Sequence, residues 1–262
     1  MRIRACAAAV SCAAVVSTAL IPATAQAANG AATGQTVFSN VVVDGGKDIV
    51  LGLSTRKTVT ITWKAADPDG LAASWAYLWH GPDTDDADGI LPLYPPRGTC
   101  AVPSAGGAST CKVSFEVDSR RDFDDNALAG TWNVLAEAQD AGDDWTAVDI
   151  AGTAHIKRAA KVTVNASPEP VRKGRTITVT GSLTRADWKQ RAYTGYQGRS
   201  VTLQFRKKGS TTYTTVKTVT SGSRGRLRTT VKATTDGYFR FVFSGSTTTG
   251  PATAAGDFVD VR

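Results

Sequence analysis

Three features of the sequence predict an all-β protein made of two antiparallel sandwiches. Thr and Val are plentiful and Met is almost absent, which is a strand-forming rather than a helix-forming composition. Short runs with alternating apolar residues recur at close spacing, punctuated by Gly, Pro, Ser, Asn and Asp. No helical period longer than two turns competes with them.

The chain opens with a basic head, Met1–Arg4, followed by an apolar run from Ala5 to about Leu20 and small residues at Ala25 and Ala27. That layout predicts a secretory signal peptide over residues 1–27. The run is too short and Ala-rich for a membrane span, which needs about 20 strongly apolar residues, and no other stretch is apolar enough. The mature chain is therefore expected to be soluble, secreted and extracellular, beginning near Ala28. Cys6 and Cys12 fall in the leader, leaving Cys100 and Cys111 to pair in an oxidising compartment. A zinc site would need four ligands, and no His lies near this widely spaced pair.

The remaining length suits two domains, residues 28–158 and 159–262. In the first, strands are expected at Thr36–Val43, Lys57–Lys64, Ser74–His80, Cys111–Val117, Thr131–Gln139 and Trp145–Ile156. Asp122–Ala129 reads as a single helical turn or a loop. In the second, runs fall at Lys161–Ala166, Arg175–Gly181, Ser200–Lys207, Thr211–Thr220, Leu227–Ala233, Tyr238–Ser244 and Asp257–Val261. Seven runs in about a hundred residues indicate an antiparallel immunoglobulin-like β-sandwich, with Tyr238 placed where such a fold can carry a corner-locking tyrosine. Almost no linker separates Thr153–Arg158 from Lys161–Ala166, so a restricted, end-to-end arrangement is expected.

Ser167-Pro168-Glu169-Pro170-Val171-Arg172-Lys173-Gly174, Val201–Gly209 and Thr235-Asp236-Gly237-Tyr238-Phe239-Arg240 resemble the Ig-like module of secreted actinobacterial proteins. Trp63–Ala72 is similar to a turn of other bacterial Ig-like repeats. The resemblance covers most of the second domain and about half of the first. It implies fold and compartment, with spacer, adhesion or hydrolase-accessory roles and no catalytic residues.

Catalytic motifs are absent. Only His80 and His155 could act as the base of a triad, and no Gly-x-Ser-x-Gly turn accompanies them. His-Glu-x-x-His, phosphate-loop and dinucleotide fingerprints are missing too. The expectation is a protein that is not an enzyme.

Three surfaces are candidates for binding. The first is charge. Residues 28–158 hold 18 acids against 10 Lys and Arg, a net of −8, whereas residues 159–262 hold 5 against 18, a net of +13. Basic clusters at Arg172 and Lys173, at Arg206, Lys207 and Lys208, and at Arg224, Arg226 and Arg228 would attract an anionic cell-wall or extracellular polymer. Nothing specific to nucleic acid is present. The bland alternative is a solvated surface that protects strand edges.

The second is calcium, through Asp83, Asp85, Asp86 and Asp88 or through Asp122, Asp124 and Asp125. The Asp83–Gly89 loop does not fit the EF-hand frame, because Pro95 would fall at the twelfth position. Acidic turns also arise from turn chemistry alone. Apart from this calcium option, no cofactor is expected.

The third is Trp75, Tyr77 and Trp79, which alternate and so share one face, opposite Ala76 and Leu78. The apolar area of three such rings favours placing them in the core. Exposed instead, they would form a carbohydrate platform. Trp188, between two strands of the second domain, is a further candidate for surface contact. The leading expectation is a binding or structural protein of the cell envelope whose basic domain meets an anionic polymer. Calcium or carbohydrate binding by the first domain is the alternative.

Overall fold

Alternation of apolar and polar residues builds four sheets in the computed structural model, which describes residues 35–102 and 107–262; the expected leader, 1–27, lies outside them. The first sandwich contains β1 (Val37–Val43), β2 (Ile49–Leu51), β3 (Arg56–Ala66), β4 (Leu71–His80), β5 (Gly89–Leu91), β6 (Thr99–Ala101), β7 (Ser109–Asp118), β8 (Gly130–Asp140) and β9 (Trp145–Arg158). The second contains β10 (Ala160–Val162), β11 (Asn165–Ser167), β12 (Thr176–Asp187), β13 (Ala192–Gly195), β14 (Ser200–Lys207), β15 (Thr214–Thr220), β16 (Arg226–Lys232), β17 (Gly237–Phe243), β18 (Ala252–Thr253) and β19 (Asp257–Val259).

Sheet β1-β3-β7-β6 packs on sheet β2-β9-β8-β4-β5. Val59, Ile61 and Trp63 of β3 and Val113, Phe115 and Val117 of β7 meet Ala76 and Leu78 of β4 and Trp132 and Val134 of β8. Cys100 lies opposite Cys111 in the β6–β7 ladder, and the two form the expected disulfide. In the second sandwich β12 pairs with β10, β11, β13 and β16, and packs on β15-β14-β17, with β18 and β19 both on β17. Ile177, Val179, Leu203, Phe239 and Phe241 fill that core.

The expected strand Lys161–Ala166 is two strands with one register. Val162 lies opposite Leu183 and Asn165 opposite Thr180, and the ladder is interrupted where the Thr163 carbonyl presses on Gly181. A Cβ at Gly181 would lie 2.1 Å from that oxygen, so only glycine fits. The Asp122–Ala129 stretch holds one tight helical turn, Asn126–Leu128, whose first amide hydrogen bonds are completed by the Asp125 carboxylate accepting from the Ala127 amide at 2.9 Å.

β12 runs beyond its own sandwich, and its far end enters the first. Ala186 and Trp188 belong to the core of the first sandwich, where Trp188 is fully buried, lies 4.6 Å from Phe123 between ring centroids, and donates its indole N–H to the Gly52 carbonyl. The surface-contact expectation for Trp188 is thereby corrected. Around it, Asn126 donates to Asp187 and accepts from the Trp188 amide, and Arg191 donates to the Ser119 carbonyl. Arg158 closes the other side. It is 5% exposed, its backbone bonds Thr248 and Gly250, and burial followed by the charge of Arg185 pushes its guanidinium down to about 10.

Candidate functional site

Register on the outer face of the β4–β8–β9 sheet decides which side chains meet. Trp75 lies opposite Glu137, Tyr77 opposite Leu135 and Trp79 opposite Asn133, while Glu137 lies opposite Ala147 and Gln139 opposite Trp145. Trp75 and Trp145 therefore flank β8 from its two sides, and their rings stack with centroids 5.2 Å apart and planes 19° from parallel. The wall beyond β4 is the segment after β5, anchored where the Gly98 amide donates to the Ser74 carbonyl at 2.8 Å. Trp75, Tyr77, Ile90, Leu93, Glu137 and Trp145 line a cleft of about 330 Å³, which Pro95 completes.

The cleft is open and apolar at its rim. Trp145 is 57% exposed, Leu93 68% and the neighbouring Tyr94 86%. Clustered apolar exposure of this kind marks contact surfaces in soluble proteins. Its polar groups are acidic. Burial, and after it the charge of Asp149, raises the Glu137 carboxyl above its ordinary range. Burial first, then Glu137 and Asp149, raises the Tyr77 phenol as well. Asp149 contributes to both shifts.

The core placement favoured for Trp75 and Tyr77 is thus corrected, since both line the cleft, whereas Trp79 is buried. The reason is volume. Trp63 and Trp132 already occupy the interior, so the inward side of β4 must be small, and the Trp63 indole donates to the Ser74 hydroxyl at 2.9 Å. The three aromatics are not equivalent. Trp79 is 2% exposed and donates to the Asp149 carbonyl at 2.6 Å, so it supports the cleft from beneath, whereas Trp75 and Tyr77 line it. Trp145 was absent from the carbohydrate candidates. It opens a strand next to an Asp-rich turn, and only the β8–β9 register brings it to Trp75.

The basic candidates fall on separate faces. Arg172 and Lys173 precede β12, exposed at one end of the second sandwich. Arg226 and Arg228 project from β16, opposite Ser182 and Thr180, while Arg224 lies in the preceding turn at φ 55°. Arg206 belongs to the other sheet, where its guanidinium lies 4.2 Å from the Tyr238 ring centroid and donates to the Ser210 carbonyl. Lys207 is exposed, and Lys208 pairs with Asp236 at 3.4 Å. Tyr238 is no corner lock: it packs on Phe258 on that outer face.

Several of the acidic candidates take part in turns and ion pairs. Asp83 accepts from the amides of Asp85 and Asp86, Asp88 lies 2.5 Å from the His80 ring, and Asp122 accepts from the Asp118 amide. Asp124 neighbours Asp125, whose carboxyl is lowered by the Ala127 amide and then by Lys189, an ion pair reaching the second sandwich. Among the described residues, Asp67, Asp69 and Asp140 bring carboxylate oxygens within 4.8 Å of one another. Asp67 accepts from the Thr36 hydroxyl, and Asp140 accepts from the amides of Gly142 and Asp144.

Fold and cleft together define the class: a tandem immunoglobulin-like β-sandwich protein carrying an aromatic cleft on its first sandwich. No family model and no curated protein matches the chain. Among solved structures it is similar to the fibronectin(III)-like modules of Clostridium thermocellum CbhA, at 12% identity over 84% of this chain and 92% of that one, with a TM-score of 0.33. It is also similar to the mouse nectin-like molecule 4 ectodomain, at 14% over 85% and 65%, TM-score 0.26. A third is the Yersinia pseudotuberculosis adhesin InvE, at 12% over 88% and 61%, TM-score 0.28. The chain spans less than two thirds of the length of these last two.

Proposed function

We propose that the chain is a secreted, non-catalytic binding protein that holds a glycan in the Trp75–Trp145 cleft. The observation that carries this reading is the stacked, solvent-facing indole pair beside Glu137. Sugar rings present C–H faces to aromatic planes, and carboxylates accept from their hydroxyls. The disulfide and the leader-like N-terminus support the extracellular part of the reading. The non-catalytic part is supported by the placement of the acids. A glycosidase flanks the scissile bond with two carboxylates, whereas Glu137 is the one carboxylate among the cleft's lining residues and the facing wall is Ile90, Leu93 and Pro95.

Charge favours a second contact. Arg226 and Arg228 are exposed on β16 and belong to none of the ion pairs among the described residues, so the second sandwich offers an anionic polymer a basic face. One experiment separates the two readings. The chain from Ala28 onward is sedimented with insoluble polysaccharides and purified cell walls across a salt series. Binding through the cleft is expected to fall about tenfold or more in Trp75→Ala and Trp145→Ala, with unfolding transitions unchanged. Binding that both variants retain would refute the cleft reading, and if salt abolishes that retained binding the contact belongs to the basic face. Release of reducing ends during incubation would overturn the non-catalytic reading.

A further inference from the structure

We infer that the cleft selects a cationic glycan, one bearing free amino groups, over neutral and acidic sugars. The inference rests on the glycan reading and adds the ligand's charge. Its ground is the imbalance of the lining. Three aromatic rings and one carboxylate face the space, and no Lys or Arg is among the lining residues. Asp149, on β9, stands close enough for its charge to act on both Glu137 and Tyr77, and its carbonyl is tied to the Trp79 indole.

Among the described residues, no base compensates these acids. Neither Glu137 nor Asp149 belongs to any ion pair among the described residues. β4 contributes Tyr77, β8 contributes Glu137 and the uncharged Gln139, and β9 contributes Asp149. The adjoining wall segment carries one base, Arg97, and its guanidinium is held on the Ala72 carbonyl. The part-buried Glu137 and the exposed Asp149 thus place like charges near π faces, with no ion pair among the described residues to neutralise them.

An ammonium group answers every part of that arrangement. It relieves the repulsion between Glu137 and Asp149, and it is attracted to the negative faces of Trp75, Trp145 and Tyr77. It is also drawn in by the −8 balance of residues 28–158. A uronic or sulfated sugar would add a third negative charge. A neutral sugar would stack on the indoles but leave the acids uncompensated. The stacked indoles supply the plane for the pyranose ring, so the partner that fits is an amino sugar in its deacetylated form.

The test is calorimetric titration of the Ala28 chain with glucosamine oligomers, N-acetylglucosamine oligomers and neutral glucose oligomers of equal length. The glucosamine oligomer is expected to bind about tenfold tighter than the others. Glu137→Gln and Asp149→Asn should each remove most of that preference while leaving the unfolding midpoint in place. The preference should also fade on acidification, as Glu137 takes up its proton above the ordinary carboxylate range. Equal affinity for all three oligomers would overturn the charge selectivity and leave the glycan reading standing. Selectivity that survives both substitutions would overturn the assignment to these acids. Failure of every oligomer to bind would overturn both readings together.

Discussion

Three tryptophans of the first sandwich, close on the same face, stand under different physical constraints. Trp145 is mostly solvated, Trp75 is half-buried against it, and Trp79 is closed off and hydrogen-bonded to the Asp149 carbonyl. Removing a buried indole forfeits its transfer free energy and leaves a cavity, so Trp79→Ala should cost about 3–5 kcal/mol. Urea unfolding of Trp79→Ala beside Trp145→Ala measures the difference, and the exposed Trp145 should cost under about 1 kcal/mol. Equal losses would mean that the cleft wall carries the fold rather than a ligand.

Strands were legible in the sequence in proportion to their length and one-sidedness. β3, β7 and β17 alternate buried and exposed positions along most of their length, and period two finds them. Strands of two to four residues, such as β2, β5, β13 and β18, are held by pairing with longer neighbours and have no period of their own to read. β4 shows the other limit. Its two faces are Trp75-Tyr77-Trp79 and Ser74-Ala76-Leu78, both apolar enough to be core, and hydrophobicity alone favoured the larger one. Volume decides, because β3 and β8 place Trp63 and Trp132 inside, and that fact belongs to neighbours far away in sequence. The candidate site was therefore legible as a residue set on β4 and illegible as a cleft, since Trp145 and Glu137 arrive through register and Leu93 through the segment after β5. The Cys100–Cys111 disulfide was legible from its cysteines, whereas the three-residue β6 beside it was not. Closing a loop with a sequence separation of 11, the Cys100–Cys111 disulfide should contribute about 2–3 kcal/mol by chain entropy. Thermal unfolding with and without a reductant checks this, and a negligible shift would show that the β7 ladder holds the hairpin unaided.

At the scale of the whole molecule, the two sandwiches meet through a side chain that one lends to the other. Sequence patterning sets the boundary between Arg158 and Ala160, and the sheets do divide there, with β9 ending at Arg158 and β10 starting at Ala160. Packing divides elsewhere, since the tip of the β12–β13 hairpin carries Trp188 into the first core. Asn126, Asp187 and Arg191 then satisfy polar groups around the intruding ring. Burial works against ionisation of Asp187, but the Gln190 amide, Asn126 and the Arg158 charge together hold its carboxyl below the usual range. A contact of this kind couples the stabilities of the two units, because neither can unfold without exposing the indole or emptying its socket. Trp188→Ala should therefore cost about 3–5 kcal/mol and also separate one cooperative transition into two, the first sandwich melting earlier. Differential scanning calorimetry of the Ala28 chain makes the comparison. A single transition that merely shifts downward in Trp188→Ala would show that the backbone bonds of Arg158 to Thr248 and Gly250 suffice to couple the sandwiches. Two transitions already present in the unmodified chain would show that the borrowed tryptophan packs without coupling.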